Sequence, residues 1–478
     1  MPTAFLNYID GRPVESREMA PDINPSNTAD VVGEFARASR KDLDDAIAAA
    51  RQAFPAWSKT TPQVRFDVLD KAGAEILARK DELGRQLARE QGKPMADGVM
   101  EAVRAGMIFK FFAGEALRMT GDRVDSTRPG VDVEVTREPL GVVAAITPWN
   151  FPLAIAAWKL APALAFGNTV VFKPAELVPW SPWAIADIVQ RAGLPAGVLN
   201  LVMGPGSVIG PALASSADVD AVTFTGSQDV GPSVAAAAVA AGSRVQLEMG
   251  GKNPLVVMDD ADLATAVGIA VNGAFFQAGQ RCTASSRIIV TQGIHDRFVE
   301  AMVERTRKLV IDDALKPGID IGPCVDGKQL EKNLSYVEIA KKEGGKLVVG
   351  GERLKRDTDG FYMAPALFTE TTADMRINKE EVFGPVASVT RVKNYDEALA
   401  VANATPYGLS AGIATTSLKY ARDFKRNSSS GLVMVNLPTA GIDYHVPFGG
   451  RKKSSYGPRE QGSYAKDFYT VIKTAYTS

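Results

Sequence analysis

The stretch from Phe275 to Thr283 carries Cys282, whose thiolate would be a strong nucleophile. It is one of only two cysteines in the chain. An aromatic pair precedes it, and Gly279 lets the backbone approach a neighbour closely, so the pattern favours a loop that meets a cavity. A lone cysteine is more often a small buried apolar residue than a nucleophile. Other parts of the chain must therefore decide between these interpretations.

Composition restricts the chemistry that Cys282 can use. The chain of 478 residues has only two histidines, His295 and His445. We expect structural or surface roles for both, so a zinc cluster is not favoured, no metal site is predicted, and the base is expected to be a carboxylate. Cys282 and Cys324 cannot form a disulfide framework, which is typical of a reducing cytosol and predicts a cytoplasmic protein.

Charge and hydropathy exclude several partner classes. The formal net charge of -1 does not favour nucleic-acid or membrane-surface binding. Residues 141–158 lack charged side chains, but Pro148, Asn150 and Pro152 interrupt them, which predicts a buried strand, a turn and a helix start instead of a membrane span. Residues 1–10 lack the basic and apolar regions of a signal peptide.

Two series of alternating strand and helix patterns predict the architecture. A mainly helical layer, which begins with an N-cap at Ser39, precedes both series. The first series runs over residues 142–247 and the second over residues 255–435. Such alternation predicts α/β domains with parallel sheets. The strictly alternating residues 131–136 predict an edge strand that can pair with another subunit.

Polar and glycine residues follow the strands of the first series. Lys173 can reach ribose hydroxyls or phosphate, and the Glu176 carboxylate can accept two ribose hydroxyls. Gly226 and Ser227, read as the opening of a helix, would offer N–H groups to a pyrophosphate. The alternatives are a surface pair and an ordinary helix cap. Because ligands bind at the carboxyl ends of parallel strands, the clustering favours a dinucleotide site.

Three of these residues could act together on an aldehyde. Cys282 would be the nucleophile, Glu248 the base, and the Asn150 amide a donor to the developing oxyanion. With a dinucleotide nearby, these groups predict oxidation of an aldehyde through a thioester. A thioesterase without a cofactor remains an alternative, because Cys282 and Glu248 suffice for acyl hydrolysis. A structural protein on an enzyme fold is disfavoured by the intact set.

Several motifs in order make the chain resemble the aldehyde dehydrogenase superfamily over essentially its whole length. They are Pro148-Trp149-Asn150-Phe151-Pro152, Lys173-Pro174-Ala175-Glu176, Phe224-Thr225-Gly226-Ser227, Leu247-Glu248-Met249-Gly250-Gly251-Lys252, Gly279-Gln280-Arg281-Cys282, Glu381-Val382-Phe383-Gly384-Pro385 and Pro447-Phe448-Gly449-Gly450.

The resemblance implies roles and a domain plan. Cys282 would be the nucleophile, Glu248 the base for deacylation, Asn150 the oxyanion donor and Glu460 a second glutamate that relays protons. The cofactor residues would be Trp149, Lys173, Glu176, Gly226, Ser227, Gly250, Glu381 and Phe383. NAD is the first expectation because Glu176 would repel a 2′-phosphate, with NADP possible.

The same resemblance implies two Rossmann-like parallel-sheet domains plus a small oligomerisation β-hairpin. Residues 1–120, 140–250 and 453–466 would form the NAD(P)-binding domain and residues 251–452 the catalytic domain. Residues 121–139 and 467–478 would form the oligomerisation segment of a homodimer or homotetramer.

Substrate choice is predicted around the Cys282 loop. The chain resembles succinate-semialdehyde dehydrogenases, but Trp158 and Phe276 stand where that group has carboxylate-binding arginines. The group that it resembles most comprises the bacterial 2-oxoglutarate semialdehyde (2,5-dioxopentanoate) dehydrogenases, on residues 280–287 and 436–441. Arg281 could then hold the distal carboxylate, or point into the scaffold. A broad-specificity aliphatic or aromatic aldehyde dehydrogenase remains open.

Overall fold

The computed structural model describes residues 4–478. The predicted first domain and the interpretation of the N-terminus extend over residues 1–3, which lie outside the described residues. The helices are α1 (Arg40–Trp57), α2 (Pro62–Ala78), α3 (Lys80–Gln91), α4 (Met95–Ala116), α5 (Ala154–Ala165), α6 (Trp180–Arg191), α7 (Gly206–Ala214), α8 (Gly231–Ala240), α9 (Leu263–Phe275), α10 (His295–Arg307), α11 (Gly327–Lys342), α12 (Arg376–Lys379), α13 (Tyr395–Asn403), α14 (Leu418–Asn427) and α15 (Lys466–Tyr469).

The strands fall into four sheets. They are β1 (Ala4–Phe5), β2 (Asn7–Ile9), β3 (Arg12–Val14), β4 (Met19–Ile23), β5 (Val31–Ala36), β6 (Asp122–Asp125), β7 (Asp132–Pro139), β8 (Val142–Ile146), β9 (Thr169–Lys173), β10 (Leu199–Leu201), β11 (Ala221–Gly226), β12 (Arg244–Met249), β13 (Asn253–Val257), β14 (Ser285–Thr291), β15 (Lys346–Val349), β16 (Ala366–Thr369), β17 (Val386–Val392), β18 (Ser410–Ala414), β19 (Leu432–Val435), β20 (Ser455–Tyr456) and β21 (Thr470–Thr477).

The first large sheet has eight strands in the order β20-β12-β11-β8-β9-β10-β2-β3. Its strands β12, β11, β8, β9 and β10 pair in parallel and are almost wholly buried, as expected for a sheet covered by helices on both faces. The register aligns Ile146 with Lys173, and Thr225 with Glu248. The sequence therefore delivers these strand ends to one edge.

The second large sheet has seven strands in the order β15-β16-β17-β14-β13-β18-β19. Its parallel core is formed by β16, β17, β14, β13, β18 and β19, which confirms the second α/β unit. Strands β15 and β16 were not predicted, and β15 pairs antiparallel with β16 at one edge of the sheet.

The helical layer begins as the sequence predicts. Ser39 caps α1: its hydroxyl accepts the N–H of Asp42, and the Asp42 carboxylate accepts the N–H of Ser39. Helix α4 packs against α2, α3 and α5 and continues the same hydrophobic core. Through α5 this layer reaches the segment that contains Asn150.

A three-stranded antiparallel sheet, in the order β21-β7-β6, stands apart from the two large sheets. The predicted edge strand is β7, and β21 pairs with it from Thr470 opposite Pro139 to Thr477 opposite Asp132. Ile472 and Tyr476 on β21 are largely exposed. Within residues 4–478, no helix is long and apolar enough to cross a membrane.

Candidate active site

A cavity of about 850 Å³ lies where the carboxyl ends of the first sheet face the Cys282 loop. It collects most of the residues that the sequence singled out. Those that line it are Trp149, Asn150, Trp158, Lys173, Glu176, Gly226, Ser227, Glu248, Gly250, Cys282, Glu381 and Phe383. Residues of this kind, far apart in the chain, meet because the parallel strands end at one edge.

An unusual backbone turn carries Cys282. Gln277 and Ala278 have φ of 55° and 54°, and Gly279 follows at 65°. A Cβ at Gly279 would lie 2.2 Å from the carbonyl oxygen of Gly384, so only glycine fits without a shift of the backbone. After the turn, the Asn253 amide donates to the carbonyl of Cys282 at 2.8 Å. These contacts fix the loop against the second sheet.

The Cys282 thiol is half-buried and faces carboxylates. Burial, together with the charges of Glu381 and Glu248, raises the pKa of Cys282 to about 12. The backbone N–H groups of Cys282 and Thr283 oppose this by favouring the thiolate. The thiol is therefore held mostly protonated near neutral pH in the protein alone.

Asn150 is positioned beside the same loop. Its Nδ2 donates to the carbonyl of Gln280 at 3.1 Å, and its backbone carbonyl accepts a hydrogen bond from the ammonium of Lys93 at 2.8 Å. A side-chain amide has two N–H donors, so one remains available to an oxygen bound next to Cys282. This arrangement suits an oxyanion donor.

Glu248 lies at the end of β12 with its two oxygens in different environments. Oε2 accepts the Ser455 hydroxyl at 2.5 Å, whereas Oε1 is buried without a hydrogen-bond partner among the described residues. Burial raises the pKa of Glu248 well above its usual range, and the charge of Glu460 adds to this effect. A carboxyl with a raised pKa and a free oxygen is a stronger base than an ordinary glutamate and can accept a proton from a neighbouring group.

Glu460 lies outside the cavity, behind Glu248. It is fully buried and paired with the ammonium of Lys159, and the Thr223 hydroxyl lies 3.4 Å from Oε1. Burial raises the pKa of Glu460, while Lys159 lowers it. The structure therefore brings a second carboxyl close to Glu248 without exposing it to the cavity.

The cofactor end of the cavity is built by Lys173 and its neighbours. The Lys173 ammonium donates to the carbonyl of Pro174 at 2.8 Å, and burial lowers its pKa to about 8. Glu176 is exposed at the rim. Helix α8 begins at Gly231 and not at Gly226–Ser227, because residues 227–230 form a turn that precedes it. The expectation that Gly226 and Ser227 open the helix is therefore wrong, although both still line the cavity.

Glu381 and Phe383 enter the cavity from the second sheet's side. The Glu381 carboxylate accepts the N–H of Gly251 at 2.9 Å, and burial raises its pKa to about 6. A Cβ on Gly250 would lie 2.0 Å from Glu381, which explains the glycine there. The ring of Phe383 meets the Trp149 ring edge to face, with centroids 5.3 Å apart.

Several further polar residues line the cavity that the sequence did not single out as site residues, among them Thr147, Thr225, Gln329 and Lys332. Thr147 and Thr225 line the cavity with buried hydroxyls that have no partner among the described residues. Both lie at ends of predicted strands, which is the signal that could have found them. Gln329 and Lys332 reach the cavity from the first turns of α11, which no local motif marks. Unpaired polar groups beside Lys173 and Glu381 fit a polar dinucleotide.

The three residues predicted to contact the substrate do not lie together in the structure. Trp158 lines the cavity and its ring stacks on Phe448, with centroids 5.1 Å apart. Phe276 is half-buried and packs against the core of the second sheet, outside the cavity. Arg281 is also outside it: its Nη2 donates to the carbonyls of Asn272 and Gly273.

The placement of Arg281 corrects the expectation that it could hold a substrate carboxylate. Its guanidinium is directed into the last turns of α9, away from the cavity, and it is a second donor to the carbonyl of Asn272, which also accepts the N–H of Phe276. The residue next to the nucleophile therefore supports the loop. Sequence adjacency to Cys282 did not reveal the direction of the side chain.

The fold and this cavity define a dinucleotide-type α/β enzyme with a cysteine at the meeting point of two sheets. The family model for the aldehyde dehydrogenase family matches residues 12–475. The chain belongs to the aldehyde dehydrogenase family, and it is an NAD(P)-dependent aldehyde dehydrogenase.

Relatives within the family give a finer comparison. The chain is 44% identical over 476 residues to an alpha-ketoglutaric semialdehyde dehydrogenase of Bacillus subtilis, covering 99% of this chain and 98% of that protein. It is 40% identical over 458 residues to a 2,5-dioxopentanoate dehydrogenase of Saccharolobus solfataricus, covering 95% of each.

Solved structures agree with the fold. A betaine aldehyde dehydrogenase of Staphylococcus aureus in complex with NAD+ superposes with a TM-score of 0.96 at 35% identity, covering 99% of this chain and 94% of that one. An NAD-dependent aldehyde dehydrogenase from Sinorhizobium meliloti gives 0.97 at 36% identity, covering 100% and 95%.

Proposed function

We propose that this enzyme oxidises 2-oxoglutarate semialdehyde to 2-oxoglutarate with NAD+, using Cys282 as the nucleophile. The observation that carries the proposal is the meeting of Cys282, Glu248 and Asn150 in one cavity with Lys173 and Glu381. The substrate class is supported by the similarity to alpha-ketoglutaric semialdehyde dehydrogenase. The overall reaction converts an aldehyde, water and NAD+ to a carboxylic acid, NADH and a proton.

The first step is addition of the Cys282 thiolate to the aldehyde carbon. A C–S bond forms and the carbonyl oxygen gains negative charge, giving a thiohemiacetal. The free N–H of Asn150 and the backbone N–H of Cys282 stabilise this oxyanion. Because the pKa of Cys282 stands at about 12, the thiol must lose its proton on the way to the adduct. Glu248 is the nearby base whose raised pKa suits that transfer.

NAD+, when bound, would supply the hydride acceptor for oxidation of the Cys282 thiohemiacetal to a thioester. The residues that would hold it are Lys173 and Glu176 at the adenosine ribose, Trp149, Gly226 and Ser227 near the pyrophosphate, and Gly250, Glu381 and Phe383 at the nicotinamide riboside.

Hydrolysis of the thioester releases the acid and restores Cys282. Glu248 removes a proton from the attacking water through the unpartnered Oε1, while Ser455 holds Oε2. The C–S bond breaks and the sulfur leaves as a thiolate that regains a proton. The buried Glu460–Lys159 pair behind Glu248 gives the proton a route away from the cavity.

An aldehyde panel with cofactor reduction as readout tests the proposal. We expect the wild-type enzyme to favour 2-oxoglutarate semialdehyde over succinate semialdehyde and over neutral aldehydes. Cys282→Ala should lose at least about 10⁴-fold in kcat, because covalent catalysis is removed. Cys324→Ala is the matched control, since that buried thiol accepts only the amide of Asn333. Equal activity of Cys282→Ala and wild type would refute the proposal.

Preference for NAD over NADP is proposed from Glu176. Its exposed carboxylate at the cavity rim would repel a 2′-phosphate and accept ribose hydroxyls. Glu176→Gln should raise kcat/KM with NADP relative to NAD by about 10-fold, on the scale of one lost charge contact. An unchanged ratio would remove Glu176 from cofactor choice.

A broad-specificity aldehyde dehydrogenase is the second candidate, favoured by the Trp158–Phe448 stack in the cavity wall. An apolar wall of this kind suits aliphatic or aromatic aldehydes as well as it suits the carbon chain of a semialdehyde. Higher kcat/KM for benzaldehyde or pentanal than for 2-oxoglutarate semialdehyde would favour this candidate.

We also propose that the chain assembles as a homo-oligomer through the β21-β7-β6 sheet. The exposed apolar residues on it, Val124, Ile472 and Tyr476, would be covered by a second copy. The same sheet would be a third unit, separate from the NAD(P)-binding and catalytic domains, which would have the residue bounds predicted from the sequence. Strand β20 would belong to the NAD(P)-binding domain because it pairs with the first large sheet. Light scattering on Ile472→Lys should show smaller particles than wild type.

We place the enzyme in the cytoplasm, which fits its two free thiols.

A further inference from the structure

Arg104 on α4 carries a guanidinium that the chain itself leaves unused. Its Nε and Nη2 atoms are buried and have no hydrogen-bond partner within residues 4–478. A guanidinium has five N–H donors, and leaving buried donors unpaired costs stability. A cation retained in this way is expected to have a partner that the protein alone does not supply.

The acidic groups around Arg104 are either occupied or exposed. Glu101, one turn earlier on α4, already accepts the N–H groups of Leu153 at 2.9 Å and Ala154 at 3.2 Å, and the ammonium of Lys93. Asp443 lies exposed on the segment that follows β19. Neither of these carboxylates forms a hydrogen bond with the guanidinium in the described structure.

Arg104 lies within electrostatic reach of the reacting thiol. Burial lowers the pKa of Arg104, while the charges of Glu101, Asp443 and Cys282 raise it. Contacts of the same helix link it to the active site: Glu101, one turn before Arg104, pairs with Lys93, and the Lys93 ammonium donates to the backbone carbonyl of Asn150 at 2.8 Å.

Aromatic side chains lie in the same part of the protein as Cys282 and helix α4. Phe111, two turns after Arg104 on α4, meets the ring of Tyr444 with centroids 6.3 Å apart. Phe151, Tyr444 and Cys282 are partly buried against the same core. Aromatic rings and the reacting cysteine therefore pack against one hydrophobic core, which also holds the buried face of α4.

We propose that Arg104 binds the carboxylate at the far end of the aldehyde substrate, and so selects semialdehydes that carry an acid group. The inference rests on the proposed function and names the residue that gives it its substrate class. A planar guanidinium matches a carboxylate through two parallel N–H···O bonds, and the apolar surroundings strengthen such a pair. The aldehyde at the other end of the chain would then meet Cys282.

The test compares two five-carbon aldehydes, 2-oxoglutarate semialdehyde and pentanal, in wild type, Arg104→Met and Arg104→Lys. Loss of a buried charge pair is expected to lower kcat/KM for the semialdehyde by about 100-fold in Arg104→Met. Pentanal should change less than about threefold, on the scale of an altered apolar contact. Arg104→Lys should recover part of the loss, mainly in KM, because it keeps the charge but not the fork.

Lys110→Met is the matched control on the same helix. Its ammonium pairs with Asp70 at 2.7 Å on the outer side, so the ratio between the two aldehydes should stay as in wild type. Equal losses for both aldehydes in Arg104→Met, or no loss for either, would overturn the inference while leaving aldehyde oxidation established.

A binding measurement separates the inference from the proposed function. Calorimetric titration of Cys282→Ala with 2-oxoglutarate should show binding that weakens at least 10-fold when Arg104→Met is added. If wild type oxidised no aldehyde but this difference persisted, the proposed function would fail and the role of Arg104 would stand. Equal binding to both proteins would overturn the role of Arg104.

Discussion

The two sides of Cys282 are built in different ways. On the cofactor side, polar groups follow strand ends: Lys173 closes β9 and Glu248 lies near the end of β12, in one parallel sheet. On the other side, Arg104 comes from the middle of helix α4 and Tyr444 from a segment after β19. The first side is fixed by sheet topology, whereas the second depends on how a helix and a distant segment pack.

The difference also appears in how the charges are satisfied. Lys173 donates to a backbone carbonyl, and Glu381 accepts the N–H of Gly251 at 2.9 Å. Arg104 has two buried nitrogens without partners. The cofactor side also keeps free buried groups, the hydroxyls of Thr147 and Thr225, but its charged groups Lys173 and Glu381 each have a backbone partner. We infer that selectivity is located on the less regular side.

The largest effect is expected for Glu248, the carboxylate that serves both the cofactor side and the substrate side of Cys282. Glu248→Gln should allow one turnover and then lower steady-state kcat by about 10²–10⁴-fold, because the thioester lacks its base. A stopped-flow record should show a burst of NADH close to one per active site, formed more slowly than in wild type because Glu248 also takes the proton of the Cys282 thiol. Glu300→Gln, on the exposed surface of α10, is the control.

The pH dependence follows from the same carboxyl. Its pKa is raised by burial and by Glu460, and the active form is the carboxylate, so wild-type kcat should rise with pH as that proton leaves. The steady-state rate of Glu248→Gln should lack this rise. A normal steady-state rate without a burst in Glu248→Gln would show that deacylation uses another base.

The cofactor side was predictable because its signals are local. Lys173, Glu176 and Glu248 could each be assigned from a strand pattern and the residue that follows it, and Ser39 from a capping pattern. Gly226 and Ser227 were expected to open α8, but a turn separates them from Gly231, where the helix begins.

The substrate side was not predictable for a physical reason. Arg281 is next to Cys282 in sequence, but the left-handed turn at Gln277 and Ala278 directs its side chain into α9. Arg104 lies on a helix whose pattern records only core packing, and its proximity to Cys282 arises from tertiary structure. Local periodicity contains neither the rotation of α4 nor the course of the segment after β19.

A smaller effect should separate the two arginines. Arg281→Met removes a charged donor from the carbonyls of Asn272 and Gly273, of which Asn272 keeps the N–H of Phe276, and this should cost about 1–3 kcal/mol of stability. Urea unfolding should shift accordingly, and kcat/KM for 2-oxoglutarate semialdehyde and pentanal should change in parallel. A selective loss on the semialdehyde alone would move carboxylate recognition from Arg104 to Arg281.

The smallest effect concerns how the cofactor side sets the reactivity of the thiol. Glu381 has a pKa of about 6, so it is ionised at pH 8, where its charge raises the pKa of Cys282. Glu381→Gln should lower the thiol pKa and speed alkylation by iodoacetamide at pH 8 several-fold, at most about 10-fold for one pKa unit. At pH 5 Glu381 is protonated in wild type as well, so the alkylation rates of wild type and Glu381→Gln should converge.

The control is Glu380→Gln, because the Glu380 carboxylate pairs with Arg376 at 2.9 Å; this variant should alkylate like wild type at both pH values. Slower alkylation of Glu381→Gln at pH 8 would mean that Glu381 positions the loop instead of repelling the thiolate, and the cofactor side would then act on Cys282 through packing and not through charge.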